Sequence, residues 1–180
     1  MQAFVRWMAP ILTFTAQEAW PLIPGQTEKY VFTTEWYDIP VASTANLISE
    51  ADWQTMIAVK SAVNKQIEAA RNAKLIGSNL SAKVELWVNA DLKAILDQLG
   101  DELRFVLITS TVIVNPFDAE QGEATDLDGL RVKVSAAEGE KCARCWHVLP
   151  DVNTHLEHPS LCSRCIINLP TGQGEERKYA

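Results

Sequence analysis

The chain has 180 residues, room for one large or two small domains, and 47% of them are hydrophobic, so a buried core is within reach of the composition. Charged residues make up 22%, and 23 acidic against 16 basic residues leave a net charge of −7, which argues against broad charge-driven binding to nucleic acid but not against a small shaped contact. No stretch is long and apolar enough to span a bilayer, and the apolar run of residues 1–20, broken by Arg6 and Gln17–Glu18, lacks the cleavage site of a signal peptide. A cytoplasmic protein with reduced cysteines is the expectation.

Residues 1–23 read as helix with little polar face: Phe4, Val5, Trp7, Met8, Ile11, Leu12, Phe14, Trp20 and Leu22 are apolar. Pro10 should end or kink a first helix near Ala9, and Thr15 with Glu18 fits a capping box for a second. A helix apolar on most sides is normally buried among others. The chain offers few such partners, so Met1 is expected to lie inside a larger protein. Residues 24–48 read as loop, with Pro24, Gly25 and Pro40, and with a sticky strip of Tyr30, Val31, Phe32, Trp36 and Tyr37 packing back on neighbouring helices.

Ser49 with Asp52 predicts a helix start, and the helix should run to about Ile76 with Gly77 as its stop. Trp53, Met56, Ile57, Val63, Ile67 and Ala70 fall near one face, with Lys60, Lys65, Arg71 and Lys74 toward solvent. Lys83 to Asn89 alternates like a half-buried strand. Asp91 can cap a short helix through Leu99, ended by Gly100, and Asp101 to Phe105 can add a further helical turn. Leu107 to Val114 reads as strand, Pro116 to Gly129 as an acidic loop or mobile hairpin, and Leu130 to Val134 as a last strand leading to the cysteines.

Those cysteines are the most specific feature of the chain. Cys142, Cys145, Cys162 and Cys165 are the only four, arranged as C-x2-C, a gap of 16 residues, and C-x2-C. Each pair can place two sulfurs on one ion, and two pairs complete a tetrahedral zinc site. Four thiolates leave no position for an activated water, so one structural Zn²⁺ is expected. Two disulfides are the bland alternative, and the spacing favours the metal. Arg144 and Arg164 lie between the paired cysteines, and Trp146 follows Cys145. The arginines can offset the charge of the metal centre, or meet phosphates and base edges; the indole can cover a small core, or stack on an unpaired base. His147, His155 and His158 are expected in exposed loop. Arg177–Lys178 adds a basic spot near the end. No phosphate-binding glycine loop, dinucleotide fingerprint or H-E-x-x-H motif occurs.

Several segments together resemble the C-terminal end of bacterial isoleucyl-tRNA synthetases. They are Val5–Arg6–Trp7–Met8–Ala9–Pro10, Phe14–Thr15–Ala16, Glu35–Trp36, Val63–Asn64–Lys65, Glu68–Ala69–Ala70–Arg71 and Ile76–Gly77, then Glu138 to Cys142, Arg144–Cys145–Trp146, Leu161–Cys162, Arg164–Cys165 and Gly174 to Ala180. The resemblance covers nearly the whole chain. It implies an α+β arrangement: the end of a helical anticodon-binding domain (residues 1–48), a small α/β junction domain (49–136) and a C-terminal four-cysteine zinc ribbon (137–180). It implies a parent enzyme that joins isoleucine to tRNA(Ile) with ATP, whose catalytic and editing segments lie upstream, so this piece alone should be inactive. It places the tip over the anticodon region and favours the RNA reading of Arg144 and Trp146, with Arg164, Arg177 and Lys178 as further candidates. The zinc pattern is also similar to the one ending formamidopyrimidine-DNA glycosylases. Those enzymes need an N-terminal proline nucleophile, which Met1–Gln2 does not supply. The alternative from another class is a standalone zinc-ribbon module that docks a protein and binds no RNA.

Overall fold

The computed structural model describes residues 1–38 and 48–179; Pro40 and Ala180, both named above, lie outside the described residues. The chain divides at residues 47 and 48 into two compact units.

In the first unit, α1 (Gln2–Met8) and α2 (Thr13–Ala19) are separated by the break at Pro10, and a 3-10 turn follows at Trp20–Leu22. The proline acts where the sequence predicts, because its ring and missing N–H cannot continue the helix. The predicted capping box does not form: α2 begins two residues before Thr15, with Leu12 in the cap position and no side-chain cap. A small core gathers Val5, Ala9, Ala16, Trp20 and Val31. The fully buried indole of Trp20 donates through Nε1 to the Glu28 carbonyl at 2.9 Å, and Gln17 pins the returning chain by accepting from the Val31 N–H at 3.0 Å. Of the predicted sticky strip only Val31 is buried; Tyr30, Phe32 and Trp36 are exposed. Phe4, Ile11, Leu12 and Leu22 are exposed as well, and Phe14 is 83% exposed.

The second unit is a helical layer on a mixed sheet. Helix α3 (Glu50–Asn72) starts as predicted: the Ser49 hydroxyl accepts from the Asp52 N–H at 3.1 Å. It stops four residues before Ile76. Lys74 takes the left-handed conformation (φ 59), its N–H meets the Arg71 carbonyl, and the Leu75 N–H reaches back to the Ala70 carbonyl. This is the pattern of a Schellman stop, built on a lysine instead of the usual glycine. The buried stripe of α3 is Met56, Val59, Ala62, Val63, Ile67 and Ala70; Ile57, predicted to face inward, is exposed.

The sheet has the order β2-β1-β4-β3, from β1 (Ala82–Val88), β2 (Thr111–Pro116), β3 (Glu123–Ala124) and β4 (Leu130–Ala136). β1 is central, parallel to β2 and antiparallel to β4. The parallel pair needs a crossover, supplied by α4 (Ala90–Leu96) and α5 (Leu103–Leu107). Asn89 caps α4, its side chain accepting from the Leu92 N–H at 2.9 Å, so Asp91 is not the cap. The predicted strand from Leu107 begins at Thr111: Leu107 ends α5, and Ile108 turns the chain through φ 58. Helix α3 packs on β4, α4 and α5, over a core that includes Val84, Leu86, Leu96, Leu107, Leu130 and Val132.

The cysteine-bearing tip follows β4. It has a two-stranded hairpin, β5 (Glu140–Lys141) with β6 (Val148–Leu149), and a short helix α6 (Ser163–Ile167). Gly139 allows the hairpin to close: at φ 105 its backbone passes so near Leu149 that a Cβ would lie 2.3 Å from that residue's carbonyl. Ser110, fully buried, joins tip to sheet. Its hydroxyl donates to the Leu80 carbonyl at 2.5 Å and accepts from the Val148 N–H at 2.8 Å. No helix among the described residues is long and apolar enough to cross a membrane.

Candidate metal centre and nucleic-acid interface

The first cysteine pair lies on the turn of the β5–β6 hairpin, and the second opens α6, with Cys162 in the cap position. The hairpin turn is closed by the Cys142 N–H on the His147 carbonyl at 2.9 Å and by the Trp146 N–H on the Cys142 carbonyl at 3.0 Å. The four sulfurs all lie within 4.8 Å of one another, and Sγ of Cys145 and Cys162 are 3.7 Å apart. Sulfurs bound to one Zn²⁺ at ~2.3 Å on a regular tetrahedron would be about 3.8 Å apart, so the cage has the right size. No disulfide joins any two of the four cysteines, which speaks against the disulfide alternative.

The electrostatics also fit a cation. Burial opposes ionisation of Cys142, but N–H groups of Cys145, Cys162 and Arg144 outweigh it and bring its thiol down to about 6. The Cys162 N–H points at the Cys142 sulfur from 3.4 Å. Burial and the crowding of neighbouring sulfurs push Cys162 and Cys165 up. Four thiolates this close cannot coexist without a positive ion among them. The site holds one structural zinc, with no ligand position left for chemistry.

Around the cage, Val152, Leu149 and Leu161 complete a small core with the cysteines. Trp146 takes no part in it. Its indole is 60% exposed, with the Lys141 ammonium 5.2 Å from the ring centroid and a left-handed backbone at φ 67. Arg144 is exposed beside it and donates weakly to the Cys165 carbonyl at 3.4 Å. Arg164 and Arg177 are brought together on the carboxylate of Glu175 and the ring of Phe105, in a cleft that Arg144 also lines. Lys178 stands apart from them with its ammonium 4.8 Å from the Tyr179 ring, while the backbone N–H groups of Lys178 and Tyr179 donate to the Glu102 carboxylate.

His147 is not an exposed loop residue. It is buried edge-on against Phe105, with ring centroids 6.0 Å apart, and neither ring nitrogen has a partner among the described residues. Burial, with Arg164 and Arg104 adding, pushes its imidazole below the usual range, so it is neutral at pH 7. Phe105 and Glu175 are the residues that sequence reasoning missed. Neither carries a local motif: Phe105 acts through residues 42 to 72 positions away, and Glu175 through arginines that its own short acidic-basic stretch does not single out.

Residues 139–167 match a family model described as a zinc finger found in FPG and IleRS, and residues 1–86 match one for the anticodon-binding domain of tRNA ligase. Among curated relatives, the isoleucine–tRNA ligase of Acinetobacter baylyi is 80% identical over 180 residues, covering 100% of this chain and 19% of the relative. That of Alcanivorax borkumensis is 50% identical and that of Actinobacillus pleuropneumoniae 48%, each across 99% of this chain and 19% of the relative. The chain belongs to the isoleucine–tRNA ligase family. It spans about a fifth of the length of these ligases and corresponds to their C-terminal region. A module that shared only the four-cysteine pattern with the ligases would not match them from end to end.

Proposed function

We propose that this chain is the tRNA-binding end of a cytoplasmic isoleucine–tRNA ligase, and that its zinc tip meets the anticodon region of tRNA(Ile). The upstream part of the same polypeptide would attach isoleucine to the tRNA with ATP. Residues 1–48, 49–136 and 137–180 would serve as the end of the anticodon-binding helices, the junction and the recognition tip. The zinc does no chemistry; it fixes the two knuckles so that Arg144 and Trp146 of the first are presented to solvent in one arrangement.

The observation that carries this reading is the exposed indole of Trp146, on a module whose core closes without it. A broad rigid aromatic face suits an unpaired base, and Arg144 and Lys141 beside it suit the flanking phosphates. Phosphate contacts would hold the tip in place while the stacked base supplies discrimination.

The test uses Trp146→Ala and Trp146→Phe in the full-length ligase, with zinc content measured beside tRNA affinity. Losing one base–aromatic stack should cost ~1–3 kcal/mol, about 5- to 150-fold in affinity for the alanine variant, with partial recovery by phenylalanine. Zinc should stay at one per chain. Unchanged affinity in both variants would refute the stacking role.

A further inference from the structure

Three arginines converge on one ring: the guanidinium carbons of Arg104, Arg164 and Arg177 stand 4.7, 4.9 and 4.2 Å from the centroid of Phe105. Arg164 and Arg177, with Arg144, also line a cleft of about 400 Å³ between the second knuckle and the segment after α6. One carboxylate enters that cleft. Oε1 of Glu175 accepts from Arg164 Nη1 at 3.1 Å and from Arg177 Nε at 2.5 Å, with Arg177 Nη2 also in contact. The side chains of Glu175 and Arg164 are only 19% and 18% exposed, so the pair is largely out of water.

The carboxylate is held there by backbone and not only by charge. The Glu175 N–H donates to the Asn168 side chain at 3.1 Å, that side chain donates to the Arg164 carbonyl at 2.9 Å, and the Gly174 N–H donates to the Ile167 carbonyl at 2.8 Å. Arg144, on the cleft's outer side, pairs with no carboxylate among the described residues. The cleft thus contains one oxyanion on two guanidinium forks and a third guanidinium with none.

We propose that this cleft is a phosphate-binding subsite and that Glu175 is its internal stand-in, occupying it until a phosphate group displaces the carboxylate. A phosphodiester carries the same single negative charge and presents two oxygens to guanidinium forks, as a carboxylate does. The exchange therefore leaves no unpaired charge in the part-buried cleft, and Arg144 gains a partner. Glu175 lies in a segment without helix or strand, so it can leave for water without unravelling an element. The phosphate chemistry stands on the cleft alone; only its source, the RNA of the reading above, rests on that reading. An internal ligand lowers apparent affinity by the fraction of time the site is free.

The zinc-loaded chain is titrated with inorganic phosphate while the arginine Nε–H resonances are followed by NMR. Glu175→Gln should bind phosphate about tenfold more tightly than wild type, with saturable shifts at Arg144, Arg164 and Arg177. Glu175→Asp keeps the charge and should behave as wild type. Glu176→Gln removes an exposed neighbouring charge and should gain little, which separates site occupancy from net charge. If Glu175→Gln gains no more than Glu176→Gln, the proposal is overturned. Should Glu175→Gln lose zinc, the decision passes to Arg144→Ala, which must weaken phosphate binding to the wild-type fold; no weakening overturns the proposal. The same variants are then tested with an anticodon stem-loop RNA. A gain with RNA matching that with phosphate supports both readings. A gain with phosphate alone keeps the subsite and counts against the RNA reading, whereas RNA binding that is indifferent to Glu175, with no phosphate gain, counts against the subsite alone.

Discussion

At the scale of single residues, the tip carries backbone strain at its most exposed aromatic side chain. Trp146 is a bulky residue at φ 67, a conformation that costs about 1–2 kcal/mol for a side chain with a Cβ. At 60% exposure Trp146 recovers little of that cost by burial, and its contact with the Lys141 ammonium is worth only about 0.5–1 kcal/mol at an exposed site. Trp146→Gly should therefore leave the tip as stable or up to about 1 kcal/mol more stable in chemical denaturation with zinc bound, the gain being trimmed by the freer unfolded chain. A clear loss of stability would show that the indole packs after all. Ser110 is the opposite case, a residue whose whole effect is structural. Ser110→Ala leaves the Val148 N–H and the Leu80 carbonyl without their bridging hydroxyl, and should cost about 1–3 kcal/mol in the same measurement.

At the scale of elements, helix α3 ends on a strained lysine where most helices place glycine. Lys74→Gly should stabilise the second unit by about 1 kcal/mol in thermal or urea unfolding, because the left-handed position then carries no Cβ. This stop also shows what the sequence could and could not reveal. Ser49 and Asp52 mark the start of α3 plainly, because a cap is a contact three residues long. The end is hidden, because nothing about Lys74 announces a left-handed turn, and Gly77 is a decoy. Asn89 and Asp91 are both acceptable caps by type, and only the path from β1 selects Asn89. The four cysteines were legible because ligand spacing is local chemistry. Phe105 was not, since His147, Arg164 and Arg177 lie far along the chain, and Glu175 was not, since a lone glutamate near arginines has no spacing that marks a pair. The tip depends on its metal in a way the sheet does not: apart from the cysteines its core is three aliphatic side chains. Cys162→Ala, or a strong chelator, should unfold residues 139–167 while α3 and the sheet keep their protection from amide exchange.

At the scale of the molecule, a net charge of −7 should make this chain a poor tRNA ligand by itself. Its affinity for tRNA should be far below that of the full ligase, where earlier contacts raise the effective concentration of RNA at the tip. Equal affinity, measured at the same salt, would contradict the proposed division of labour. The chain alone should also show no isoleucine-dependent exchange of pyrophosphate into ATP, a reaction for which it carries no nucleotide-binding motif. The ties that fasten the tip differ greatly in reach: Cys142 and Cys162 are 20 residues apart, Ser110 and Val148 are 38, and Glu102 and Lys178 are 76. Closing the longest loop costs about 1 kcal/mol more entropy than closing the shortest. Refolding should therefore be hierarchical. With Co²⁺ as a coloured substitute for the native ion, thiolate-to-metal absorption should rise first. Protection of the Val148 amide should follow as a separate, slower phase, so that the knot is tied before it is moored.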